Sequence, residues 1–287
     1  MLALLEIYRW TILAGTLAAG ALALLGCHLA ARDKAMQTLC VGQGATLGVL
    51  MGIGLLQTFA MHPEGVWALG PFGSAALFSL ATFQISEIMV RHKDASKSTL
   101  FLSLFAVLLA LGYLTSALFP ALENHMTQIF FGDVATMSNF DSILTSCLSL
   151  IIVGILTIRW KAVSNESFET ATFGNLRSPN ATTGHPMVFH MLALVTLCYA
   201  VQFLGFLFTI SCLFIPTGLL RFTQERRLRR HFVFAVLTAS SSSFIGFLIS
   251  LSQSRLPTVP TIVAFLLLEL LCLIVWDKLR APRILEN

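Results

Sequence analysis

Met187-Val-Phe-His-Met-Leu-Ala-Leu-Val-Thr-Leu-Cys-Tyr-Ala-Val-Gln-Phe-Leu-Gly-Phe-Leu-Phe-Thr-Ile-Ser-Cys-Leu-Phe-Ile-Pro-Thr-Gly-Leu-Leu220 decides how this chain is threaded. As one straight helix its 34 residues would run about 51 Å. A bilayer core is roughly 30 Å thick and is crossed by about 20 helical residues. One crossing would also carry the Arg226–Arg230 cluster to the outside. Two short crossings, or a hairpin dipping in from the cytoplasm, resolve both problems, with the turn near Gln202 to Gly205. Pro216 is expected to interrupt the second short helix, because proline removes a backbone donor and frees the carbonyl of Cys212. Broken backbone at membrane depth is tolerated where protein or a watery cavity satisfies it, and broken helices recur along transporter pathways.

Outward from that stretch, basic residues set the rest of the threading. Of the 18 Lys and Arg, all but Arg9 and Arg255 gather in five islands: Arg32 and Lys34; Arg91, Lys93 and Lys97; Arg159, Lys161 and Arg177; Arg221 and Arg226 to Arg230; Lys278, Arg280 and Arg283. Such clusters at span ends mark the cytoplasmic side. The expected spans are 8–31, 39–61, 66–90, 98–119, 139–158, 187–204, 205–221, 232–253 and 258–277. The fold class is therefore an all-α integral membrane bundle of about nine transmembrane helices, or eight if 187–221 is one broken element. Its N-terminus is expected outside and its C-terminus inside. Residues 1–287 read as one transmembrane domain.

Composition agrees. Hydrophobic residues make up 56% and charged residues 11%, where a soluble domain carries about 25% charge. The net charge of +4 follows from positive-inside orientation, and nothing supports nucleic-acid binding. The N-terminal segment reads as a retained first span rather than a cleaved signal. The cysteines fall in apolar runs without zinc or disulfide spacing. Gly42, Gly44, Gly48, Gly52 and Gly54 suit close helix approach.

Two polar connections stand out. Residues 161–186 hold Ser164-Asn-Glu-Ser-Phe-Glu169, which reads as a helix start with acids in its first turn, and Gly174 is a suitable stop. A short amphipathic helix there would suit docking to a partner; a solvated connector is the plainer reading. On the other side, Phe130-Phe-Gly-Asp133 is too apolar for a free loop and is expected to form a short helix at the outer surface.

The chain has no phosphate-binding glycine loop and no hydrolase or zinc-protease motif, so no enzyme activity and no cofactor are expected. Ionisable residues within spans are functional hypotheses by default. Glu269, mid-way along the last span, is the clearest, with a pathway or buried-pair role set against plain helix–helix hydrogen bonding. His28, Glu87 and His190 lie near the cytoplasmic boundary, within reach of water.

Four segments together resemble the membrane subunit of the ABC importers for manganese, zinc and iron. They are Phe203 to Arg221 with its Ile-Pro, Leu256-Pro-Thr-Val-Pro-Thr-Ile-Val263, Phe130-Phe-Gly-Asp133 and Gly48-Val-Leu-Met-Gly52. The resemblance implies a separate cytoplasmic ATP-binding subunit, a second permease copy (homodimer or paralogue) and an extracytoplasmic substrate-binding protein, in the inner or plasma membrane. It implies that the 161–186 loop holds the ATPase-contacting helix, where Glu166, Thr170 and Gly174 correspond loosely to an Asp, an Ala and a Gly of the family; the expected coupling residues are Glu166, Phe168, Glu169 and Gly174. The family places an Asp and, four residues on, a His in the second span, a pair suited to a divalent cation. Leu39 and Gln43 stand there in this chain. The expected substrate pathway runs past Leu39, Gln43, Pro216 and Glu269, for a metal or a metal complex whose ligands are left open. The competing readings are a proton-coupled secondary transporter using Glu269, and a membrane protein that keeps the fold without transporting.

Overall fold

The structure is a computed structural model and describes residues 6–58, 69–91, 96–119, 122–132, 134–173, 186–220, 228–253 and 256–280. The described residues form eleven α-helices: α1 (Arg9–Ala31), α2 (Ala35–Thr58), α3 (Leu69–Arg91), α4 (Lys97–Leu118), α5 (Glu123–Phe131), α6 (Asn139–Ile158), α7 (Trp160–Phe173), α8 (Pro186–Leu204), α9 (Phe206–Leu220), α10 (Leu228–Ser252) and α11 (Thr258–Arg280). A 3-10 turn, Val134–Thr136, links α5 to α6. Seven helices (α1, α2, α3, α4, α6, α10 and α11) are long and apolar enough to cross a membrane; α8 and α9 are shorter apolar helices.

The first two helices form the centre. Of their most apolar windows, 83% of α1 and 72% of α2 are buried, against 22–44% for the other five spans. Around α1 pack α6, α9 and α10; around α2 pack α3, α4 and α8. The outer helices turn large apolar side chains outward, including Leu77, Val107, Ile158 and Leu237. Such a surface suits lipid, where helices are held by close packing and hydrogen bonds rather than by the hydrophobic effect.

Small residues make that packing possible. Gly44, Gly48 and Gly52 form a stripe on α2 against α3. A Cβ built on Gly48 would come within 2.5 Å of the Ser74 carbonyl oxygen and 2.7 Å of Ala75 Cα, so the two backbones touch. The α1–α2 turn is equally tight. Asp33 has φ 55°, its N–H donates to Ala30 O (3.3 Å) and that of Lys34 to Leu29 O (3.0 Å). This is the Schellman ending of a helix, with a left-handed residue just past the cap.

The 187–220 stretch is a hairpin that breaks at Gly205, within the expected interval. Near the start of α8, Phe189 packs on His28 of α1; half-way along α9, the Leu213 carbonyl lies against Gly26, near the same end of α1. Between them the chain reaches Gly132 at the end of α5 and returns. Gly205 (φ 88°) and Gly132 (φ 80°) sit back to back, and a Cβ on either would strike the other's segment. Two segments read separately in the sequence, Phe130-Phe-Gly-Asp133 and the Phe203 to Arg221 run, thus meet at their glycines. The expected short helix is α5; Asp133 lies outside the described residues.

Pro216 corrects an expectation. The helix α9 continues through it to Leu220. Proline denies the Cys212 carbonyl its usual amide donor, and the neighbouring Thr217 hydroxyl donates to Phe214 O (3.0 Å) and Leu213 O (3.3 Å) rather than to it, but Pro216 and Thr217 are buried against protein. Tertiary packing carries the helix across the missing bond.

Candidate functional site

At the cap of α1 the chain places Arg32, which is only 5% exposed. Its planar fork serves three groups of α7: Nε donates to Ser167 Oγ (3.0 Å), Nη1 to Glu166 Oε1 (3.2 Å) and Nη2 to the Val163 carbonyl (3.3 Å). The guanidinium carbon lies 3.8 Å from the centre of the Phe189 ring on α8, a cation–π stack. Lysine has no fixed fork with which to repeat this pattern. Burial pulls the Arg32 guanidinium below its ordinary value, and the charge and hydrogen bond of Glu166 oppose that shift.

One turn back lies His28, completely buried rather than within reach of water. Its ring meets Phe232 of α10 (4.7 Å between centroids), Trp160 of α7 (5.5 Å) and Phe189 of α8 (6.1 Å), and Trp160 meets Phe232 at 4.7 Å. Its Nδ1 is 3.4 Å from Ser167 Oγ. The Ser167 proton goes to Val163 O (2.7 Å), so that oxygen accepts from Arg32 and His28, which puts the imidazole proton on Nδ1. Four helices (α1, α7, α8 and α10) therefore converge on two side chains of α1.

The helix α7 departs from its expected start. It begins at Trp160, separated from the end of α6 by Arg159 alone, and not at Ser164. Ser164 and Ser167 are buried inside the corner rather than capping an end. Glu166 is turned to Arg32, Glu169 is half-buried, and Lys161, Ala162 and Asn165 are exposed. The side chain of Phe168 and all of Gly174 lie outside the described residues.

Beside this corner, Lys34 Nζ pairs with Glu87 (2.9 Å), and Gln37 Nε2 donates to Ser86 and Glu87 (both 2.8 Å), joining α2 to α3. A cavity of about 220 Å³ opens between these helices and α8, lined by Lys34, Gln37, Phe83, His190 and apolar side chains.

The four expected pathway residues do not share that cavity. Leu39 is half-buried on α2. Gln43, one turn on, is wholly buried, and neither of its amide atoms has a hydrogen-bond partner among the described residues. Pro216 lies in α9. Glu269 is held by α10, accepting from Ser241 Oγ (2.7 Å) and Ser242 Oγ (2.5 Å), which is helix–helix hydrogen bonding. Among the described residues no three His, Cys, Asp or Glu side chains cluster so as to hold a metal ion. Sequence reading missed Arg32 as a site residue, having counted it only as an island marker. Its one signal was a lone arginine directly at the end of an apolar run.

The arrangement ties the end of α1 and the start of α8 to the polar helix α7. The fold matches two solved structures. With PsaBC from Streptococcus pneumoniae in complex with Fab, the TM-score is 0.72 at 17% identity, covering 98% of this chain and 97% of that one. With a metal-chelate type ABC transporter in an inward-facing conformation it is 0.63 at 17% identity, covering 93% and 84%. A "probable iron transport system membrane protein" of Haemophilus influenzae is 25% identical over 228 residues, 79% of this chain and 78% of that protein. Residues 4–276 match the ABC 3 transport family. The chain belongs to the ABC 3 transport family, a family of multi-pass membrane permeases of ABC transporters.

Proposed function

We propose that this chain is the permease subunit of an ABC importer that carries a divalent transition metal (manganese, zinc or iron) or a metal complex across the inner or plasma membrane. A cytoplasmic ATP-binding subunit supplies the energy, a second permease copy completes the channel, and an extracytoplasmic binding protein delivers the substrate. The N-terminus lies outside, the C-terminus inside, and α8 and α9 count as two short crossings, giving nine. The observation that carries this reading is α7: a polar fourteen-residue helix between apolar spans, bolted to the end of α1, in a chain of this family. The iron transport named for the Haemophilus influenzae relative supports a metal cargo. The pathway is assigned to the α2 face of Leu39 and Gln43, with Pro216 and Glu269 contributing from α9 and α11. The coupling residues are assigned to Glu166, Phe168, Glu169 and Gly174.

The test has two arms. An affinity-tagged permease is purified from its own cells and its partners identified; co-purification of an ATPase and loss of cellular metal in a deletion strain are expected. In a chain freed of native cysteines, Thr172→Cys and Gln224→Cys should react with a membrane-impermeant thiol reagent only from the cytoplasmic side, and Asn124→Cys only from outside. Absence of any ATPase would remove the importer reading. External labelling at Gln224→Cys would remove the nine-crossing topology.

A further inference from the structure

We infer that Arg32 is the positioning residue through which α7 moves the spans: a pin that makes ATPase-driven displacement of α7 a displacement of α1 and α8. The inference rests on the permease reading and adds a residue and a mechanism to it. Along its length α7 packs mainly on α1, with a smaller contact to α6. The α6 contact is a continuation of chain through Arg159 and can act as a swivel. The α1 contact is where force would pass, and Arg32 makes most of its polar bonds.

Geometry makes this bond directional. The three donors of one planar group engage Glu166, Ser167 and the Val163 carbonyl, which span a single turn of α7. Turning α7 about its axis, or sliding it, breaks at least one of them. The in-plane donors face α7 while the flat of the same guanidinium lies on the Phe189 ring of α8, so the group is held by α7 at its edge and by α8 at its face while its own backbone ends α1. Burial matters as well: an almost enclosed arginine has no water to replace a lost protein partner. The exposed residues Lys161, Ala162 and Asn165 leave a separate face of α7 free for the ATPase. Arg32 itself is buried away from that face, so a change at Arg32 should spare docking while impairing transmission.

The experiment uses the purified permease–ATPase complex with its binding protein in proteoliposomes, with radioactive Fe(II), Mn(II) and Zn(II), each free and as its citrate complex, as probes. The readout is ATP hydrolysed per metal imported. Arg32→Lys keeps the charge but loses the fork and the stack; Arg32→Met keeps only the stem. Ser167→Ala, which removes one arm without emptying the corner and is not one of the assigned coupling residues, covers the case in which both Arg32 variants fold poorly. The ATPase should remain bound in all three. ATP consumed per metal should rise at least tenfold in the Arg32 variants and about threefold in Ser167→Ala, with Arg32→Lys the milder of the first two. An unchanged ratio, or hydrolysis and uptake falling in proportion, would overturn the role of Arg32 and leave the permease reading standing. A parent complex that retains no ATPase, or imports none of the three metals either free or as a complex, would overturn both.

Discussion

The α8–α9 hairpin is fastened at its two ends by opposite means. At its turn, Gly205 meets Gly132 with no side chain between the segments. At the other end, Phe189 lies under a guanidinium that is shared with three groups of α7. The glycine contact fixes distance: two backbones cannot come closer, and neither can accept a methyl group. The arginine contact fixes direction, and it can be weakened one hydrogen bond at a time. A moving hairpin would pivot where backbones touch and be pulled where bonds are directional.

The turn should be the less forgiving end. Gly205→Val places a branched side chain at φ 88° and against Gly132. The left-handed backbone costs about 1–2 kcal/mol for a residue with a Cβ, and forced overpacking about 1–3 kcal/mol. A loss of roughly 2–5 kcal/mol is expected, visible as a large drop in thermal midpoint in detergent, with Gly132→Val close behind. A loss below about 1 kcal/mol would mean that the turn has room, and the contrast between the two ends would collapse.

The corner should give graded effects that follow hydrogen bonds rather than volume. Two serines of α7 make a matched pair. Ser167 accepts from Arg32 and neighbours His28, whereas the buried hydroxyl of Ser164 has no partner among the described residues. Ser167→Ala should therefore cost about 1–2 kcal/mol, as a charged donor loses its acceptor. Ser164→Ala removes a desolvated hydroxyl and should be neutral or slightly stabilising. Chemical denaturation of the two variants side by side decides it; equal losses would show that packing, not the arginine, holds α7.

How far the sequence foretold these two ends differs for a physical reason. The turn was legible, since a run too long for one crossing, a glycine at its middle and the Arg226–Arg230 cluster after it forced a reversal near Gly205. The glycine stripe of α2 was legible too, because residues four apart share a helix face. Pro216 misled: local chemistry predicts a break, but α9 continues through it, with Pro216 buried among the surrounding helices. The corner was illegible, because Arg32 and Glu166 are 134 positions apart and nothing local distinguishes a buried arginine from a positive-inside marker. His28 was misplaced for the same reason, since the aromatic rings that enclose it come from three other helices. Glu269 was found as an anomaly, and its partners Ser241 and Ser242 lie in a run read as packing. The Leu39 and Gln43 assignment came from resemblance alone, and burial of an unpaired Gln43 amide is the feature no local pattern could supply.

The smallest expected effect lies in the turn that aims Arg32. Asp33 is exposed and holds φ 55° immediately after the cap. Aspartate tolerates the left-handed region better than most residues, but it still carries a Cβ and sets a negative charge beside the negative end of the α1 dipole, which costs about 0.3–1 kcal/mol. Glycine relieves both and gives back part of the gain as unfolded-state entropy, about 0.5–1 kcal/mol. Asp33→Gly should raise the thermal midpoint by about 1–2 °C, the size expected of a few tenths of a kcal/mol in a chain this long. Asp33→Asn, which keeps the side chain but not the charge, should give about half of that, and Asp33→Val should lower the midpoint by a few degrees. At the arginine end, stability and coupling can then be set against each other in one variant. If Arg32 is aimed by a rigid turn, Asp33→Gly stabilises the fold while the number of ATP molecules used per metal stays at the parent value. A stabilised fold with a raised ratio would show that glycine loosens the aim of Arg32, so that the turn, and not only the guanidinium, carries the direction of the pull.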